Sequence, residues 1–166
     1  MLKNYFLYSL ILGFMVFNCG GNKSQSNDYI QIELTWKHQN NAIGDVPGKG
    51  EIQLNNKGSI PLPSKKWAIY FNQITGPIPE ASSLKGLRLS NVVGELYKIE
   101  PDPSFSGLNA GEKKDFPYTS VEGVTFNYSA VPQGAFLVYE DENGLEKTIK
   151  PLVTAQWCKS DFYNYR

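Results

Sequence analysis

Adjacent carboxylates are the residue type that general acid–base chemistry uses, and Asp141-Glu142 is such a pair. It stands in Tyr139-Glu140-Asp141-Glu142-Asn143-Gly144, a polar stretch whose Asn-Gly closes tight hairpins. Carboxylates on a solvated turn keep pKa values of about 4 and cannot protonate a leaving group at neutral pH. The pair is therefore expected to be a turn. The same stretch lacks the alternate ligands and distal glutamate of a calcium loop. The one histidine, His38, is expected as a solvated side chain at the start of a loop, and no second histidine or paired cysteine completes a metal set. Cys158 has no His/Asn/Asp arrangement that would make it a nucleophile. No phosphate-binding glycine loop or nucleophile elbow is present, so no catalytic residue, metal or cofactor is expected.

Sugar binding asks for other residues: a flat aromatic ring to stack on a pyranose, with amide or carboxylate groups beside it for the hydroxyls. The candidates are Tyr70 with Asn72, and Tyr97 near Glu95; Tyr118 and Tyr128 lie on later strands. Trp67 shares a strand face with Ile69 and Phe71, and Trp36 ends an apolar stripe, so both tryptophans are assigned to the core.

The elements that must position these residues are short strands. Ile30, Ile32, Leu34 and Trp36 alternate with Gln31, Glu33 and Thr35, the period of a half-buried strand. A loop is expected over 40–50, then a strand at Glu51–Asn55. The tryptophan strand is followed by a loop from Gln73 to Gly86. Strands are expected near Leu87–Val92 and Glu95–Ile99, and a loop anchored by Phe105 and Leu108 comes next. Further strands are expected near Lys114–Thr119, Val124–Ser129, Ala135–Glu140 and Leu145–Lys150, the last two forming a hairpin. No amphipathic helix is visible. The pattern predicts an all-β chain, an antiparallel β-sandwich of about seven to nine strands, immunoglobulin-like or carbohydrate-binding-module-like.

The N-terminus is different. Met1-Leu2-Lys3-Asn4 precedes an apolar run from Tyr5 to Phe17, which reads as a secretory signal. Val16-Phe17-Asn18-Cys19-Gly20-Gly21 resembles a bacterial lipoprotein cleavage region, although Asn18 stands where that pattern prefers a small residue. Acylation of Cys19 would anchor the chain to a membrane; the alternative is an ordinary signal peptide that contains a cysteine. The expected organisation is a signal over 1–19, a flexible linker over 20–28, a sandwich over 29–151 and a tail over 152–166. The chain is thus expected to be exported to the cell envelope, periplasmic or at the surface. Sixteen basic residues balance sixteen acidic ones, which leaves no electrostatic footprint for nucleic acid.

The two blocks Lys66-Trp67-Ala68-Ile69-Tyr70-Phe71-Asn72 and Gly94-Glu95-Leu96-Tyr97-Lys98-Ile99-Glu100-Pro101 carry a resemblance. Leu34-Thr35-Trp36, Glu51-Ile52-Gln53-Leu54-Asn55-Asn56, Pro61-Leu62-Pro63 and Phe105-Ser106-Gly107-Leu108 stand around them in the fitting order. Together they resemble the N-terminal carbohydrate-binding domain of bacterial β-N-acetylhexosaminidases and chitobiases of glycoside hydrolase family 20. The resemblance spans roughly residues 29–150, the extent of the strand pattern. The family's catalytic barrel has no counterpart in this sequence, and Asp141-Glu142 lacks the glycine-rich strand context of the family's catalytic pair. The resemblance thus implies a chain that is not an enzyme on its own. It implies a module that binds chitin-type or other N-acetylhexosamine-containing glycans at the cell surface, with a catalytic domain as a further partner. The alternatives are an inactive fragment of a hexosaminidase and a structural or partner-binding lipoprotein.

Overall fold

The computed structural model describes residues 29–40, 48–73, 84–120 and 132–157. The leader with Cys19, the linker, the expected strand at Val124–Ser129 with Tyr128, and Cys158 lie outside the described residues. Nine strands are present: β1 (Ile32–Asn40), β2 (Gly48–Asn56), β3 (Trp67–Asn72), β4 (Leu87–Val93) and β5 (Leu96–Pro101), then β6 (Lys113–Ser120), β7 (Gln133–Glu140), β8 (Glu146–Ile149) and β9 (Leu152–Trp157). They form two sheets, ordered β6-β2-β1-β9 and β4-β5-β3-β7-β8. The fold is an all-β sandwich.

Alternation decides which side of each strand is buried. Ile32, Leu34 and Trp36 of β1 face Ile52 and Leu54 of β2 and Phe116 of β6. Trp67, Ile69 and Phe71 of β3, Ile99 of β5 and Leu137 of β7 supply the facing layer. Each such side chain contributes about 1.5–3 kcal/mol when fully buried, and this layer holds the sheets together. Both tryptophans lie in it, as expected. Trp36 meets Phe71 edge-on at 5.8 Å, and Trp67 meets Phe105 edge-on at 5.4 Å.

Four features differ from the sequence reading. The segment 152–157, expected as tail, is strand β9, and it pairs with β1 in parallel from Glu33↔Leu152 to His38↔Trp157. The sandwich therefore runs past residue 151 and is not wholly antiparallel. Strand β2 begins at Gly48, inside the expected loop, since its pairing with β6 already starts at Gly48↔Ser120, with Gly50 opposite Tyr118. A Cβ at Gly50 would come within 2.8 Å of Tyr118 Cε1. His38 is buried on β1 rather than solvated on a loop. Tyr118 is also core, 3% exposed, and burial drives its phenol well above the usual range, with Trp36 pulling weakly the other way. It presents no ring to a ligand.

The connection from β2 to β3 is fixed by one side chain. Asn56 is fully buried; its amide nitrogen donates to the carbonyls of Ile60 (2.9 Å) and Leu108 (3.1 Å). Its side-chain oxygen accepts the Gly58 N–H at 3.0 Å. A bridge between Leu62 and Leu108 continues this link, and the Trp67 indole donates to the Pro63 carbonyl at 2.8 Å. The Pro61-Leu62-Pro63 segment is thereby held rigidly against the sandwich.

Candidate glycan-binding face

The two outer faces have opposite chemistry. On the four-stranded sheet, polar side chains interlock across the strands. Lys37 pairs with Glu51 and Asp115, Gln53 bonds Asp115, Asn55 bonds Glu33 at 3.0 Å, and the Thr35 and Thr154 hydroxyls meet at 2.8 Å. These groups satisfy one another, and no aromatic ring from the paired strands points outward among the described residues.

On the five-stranded sheet the centre is aromatic. Register places Tyr70 of β3 opposite Phe136 of β7, both on the side away from the core. Their rings stack with centroids 5.0 Å apart and planes 11° from parallel. Phe136 is 37% exposed, an unusual state for a phenylalanine in mid-strand. Lys98 of β5 lies opposite Tyr70, and Asn72 is exposed two residues further along β3. Lys98 also bonds Glu100 at 2.8 Å, and Arg88 holds the same carboxylate. Desolvation would raise the Glu100 carboxyl, but Lys98 and Arg88 outweigh it and keep the group below the usual carboxylate range. A flat apolar platform with an amide, an ammonium and a carboxylate at its side can stack a pyranose ring and bond its hydroxyls.

The four sequence candidates do not form one surface. Tyr70 and Asn72 share the outer face. Tyr97 lies opposite Phe71 and points the other way, stacking on Phe71 at 5.9 Å as a half-buried flank of the core. Glu95 is exposed in the turn between β4 and β5, where its carbonyl accepts the Gln73 N–H at 3.0 Å. Phe136 was not singled out by sequence, because Ala135-Phe136-Leu137-Val138-Tyr139 is an unbroken apolar run that hides which members face outward. Only its pairing with β3 reveals it.

Asp141 and Glu142 form the expected turn. The Asp141 carboxylate accepts the N–H groups of Leu145 and Asn143, each at 2.9 Å. Those bonds, with Lys147 nearby, hold it below the usual range. It stays ionised at neutral pH and is no acid. Among the described residues, no group of three His, Cys, Asp or Glu side chains could hold a metal.

Beyond the platform, β3 is entered through Lys66, whose φ of 66° is in the left-handed region. This conformation costs a non-glycine residue roughly 1–3 kcal/mol. It is over-determined on both sides: the Lys66 carbonyl accepts the Glu140 N–H at 3.0 Å, and the Lys66 ammonium pairs with the Glu140 carboxylate.

Comparison with known proteins agrees with this architecture. The family model described as "Putative carbohydrate binding domain" matches residues 22–161. The N,N'-diacetylchitobiase of Vibrio harveyi is 34% identical over 89 residues, which is 54% of this chain and 10% of that protein. The crystal structure of a family 20 exo-β-N-acetylglucosaminidase from Vibrio harveyi in complex with N-acetylglucosamine superposes with a TM-score of 0.61 at 14% identity. That match covers 81% of this chain and 19% of the other. The D437A inactive mutant of that enzyme matches with a TM-score of 0.60. At 14% identity these structures establish the fold. The chain spans about a tenth of the curated relative and about a fifth of the solved ones. On the family match and the shared sandwich, the chain belongs to the carbohydrate-binding domain family, and it is related to the chitobiase through that domain.

Proposed function

We propose that the chain is a non-catalytic module that binds chitin-type or other N-acetylhexosamine-containing glycans through the outer face of its five-stranded sheet. The observation that carries this reading is the stacked, partly exposed Tyr70–Phe136 pair at the centre of that face. The sugar class is suggested by the relatives, one named as a diacetylchitobiase and one crystallised with N-acetylglucosamine. The non-catalytic reading is supported by the setting of Asp141-Glu142, a hairpin turn in which the Asp141 carboxylate accepts the Asn143 and Leu145 N–H groups.

Calorimetric titration of the full chain with chitobiose tests it. Saturable binding is expected, and Tyr70→Ala or Phe136→Ala weakens it at least roughly tenfold, about 1.4 kcal/mol. A folded chain that gives no heat with this sugar, or variants that bind as well as wild type, would overturn the reading. Turnover of an aryl N-acetylglucosaminide by the purified chain would sink the non-catalytic part.

The cellular setting rests on the N-terminal sequence alone. Acylation of Cys19 would place the module on an envelope membrane, where the platform meets extracellular or periplasmic glycans. Cys19→Ser should then move the protein from the membrane fraction to the soluble one.

A further inference from the structure

The outer face has a neighbour that the proposed function does not use. Between the Pro61–Lys66 segment and the β7–β8 hairpin lies a cleft of about 780 Å³. Its apolar lining is Ile30, Ile60, Pro61 and Pro63, together with Tyr139. Lys65, Glu142 and Asn143, all exposed, line it too. Its size falls in the range of about 300–1,000 Å³ typical of small-ligand sites, and its lining mixes apolar side chains with charged and amide groups that can bond hydroxyls.

A second, shallower hollow of about 330 Å³ contains Tyr70, Ala68 and Val138 on the outer face. Lys66 and Glu140 line both hollows. The hollow that holds Tyr70 of the platform thus adjoins the cleft, with Lys66, Tyr139 and Glu140 shared between them. Phe136 and Glu140 lie four residues apart on one side of β7, roughly 13 Å at about 3.3 Å per residue. A single pyranose cannot reach from one to the other, and a chain of several can.

We infer that this cleft is a second glycan subsite, continuous with the Tyr70–Phe136 platform, so that the preferred ligand is an oligosaccharide longer than a disaccharide. The inference rests on the proposed function. The charge pattern favours a neutral ligand rich in hydroxyl groups: Lys65, Lys66 and Lys147 are matched by Glu140, Asp141 and Glu142. Lys66 pairs with Glu140 and Lys147 with Asp141, whereas Lys65 and Glu142 make no ion pair among the described residues. Those two side chains are available to hydrogen-bond a sugar. Both walls are already set, one by Asn56 and the Leu62–Leu108 bridge, the other by the Asp141 turn. Little ordering is left for binding to impose.

The test compares the N-acetylglucosamine dimer and tetramer on the full chain by calorimetry. Wild type is expected to bind the tetramer at least roughly fivefold more tightly than the dimer. The double variant Lys65→Ala/Glu142→Ala, at two exposed positions, should bind the dimer unchanged and lose the preference for the tetramer. In amide spectra, the tetramer should shift residues 64–66 and 141–147, and the dimer should not. Equal affinities in wild type, or a double variant that keeps the preference, would remove the second subsite and leave the platform standing. A folded wild-type chain that takes neither sugar removes both readings together.

Discussion

Gly50 and Tyr118 show how much one missing methyl decides. The Tyr118 ring covers the Gly50 backbone, where a Cβ has no space. Gly50→Ala should cost about 1–3 kcal/mol by overpacking, read as a lower urea midpoint with an unchanged slope. Asn56 is the converse case, a buried polar group whose amide makes three bonds. Asn56→Leu leaves the Ile60 and Leu108 carbonyls with a partner lost, and about 2–4 kcal/mol of destabilisation is expected by the same measurement. Single residues were unevenly legible in the sequence. Trp67, Ile69 and Phe71 announce their burial through alternation, which is a local property. Phe136 and Tyr97 do not, because their orientation depends on the strand that each lies beside. His38 misled for the same reason, since nothing near it in sequence shows that β1 extends so far.

At the level of elements, β9 is the instructive one. Leu152-Val153-Thr154-Ala155-Gln156-Trp157 has a weak alternating pattern, and its partner β1 lies more than a hundred residues earlier, as in the Thr35–Thr154 hydroxyl contact. A pairing so distant leaves no local mark. A chain ended after Pro151 should lose this pairing and expose the edge of β1; a large drop in melting temperature, or failure to fold, is expected by circular dichroism. The β7–β8 hairpin is the opposite case: Asn143-Gly144 announces it, and Gly144 adopts the expected positive φ of 76°. Cross-strand charges add a pH dependence. Gln53 and Lys37 hold the Asp115 carboxyl below its ordinary 3.8. At Glu100, burial works against the charge, but Lys98 and Arg88 hold it below 4.5. Groups lowered in the folded state stabilise it fully above those ordinary values, and that contribution is lost as pH falls through the folded ones. Calorimetric melting should therefore be level from pH 7 to about 5 and decline below about pH 4, more shallowly in Asp115→Asn. A level profile down to pH 2 would contradict this.

For the molecule as a whole, the asymmetry between the two faces makes the proposed binding one-sided. Lys113→Ala and Gln156→Ala, at exposed positions on the four-stranded sheet, should leave glycan affinity within about twofold of wild type. The sandwich and its core were readable from pattern; the pairing of sheets, and with it the platform, was not. The parallel pairing of β1 with β9 has a mechanical consequence. In a parallel pair the start of β1 and the end of β9 lie at opposite poles. Tension between the flanking segments would pull the two strands in opposite directions along their length. All the bonds from Glu33 to His38 then bear the load in shear at once, whereas a hairpin pulled from its open end yields one bond at a time. Pulled at the start of β1 and the end of β9, the fold resists as a clasp does rather than a zip.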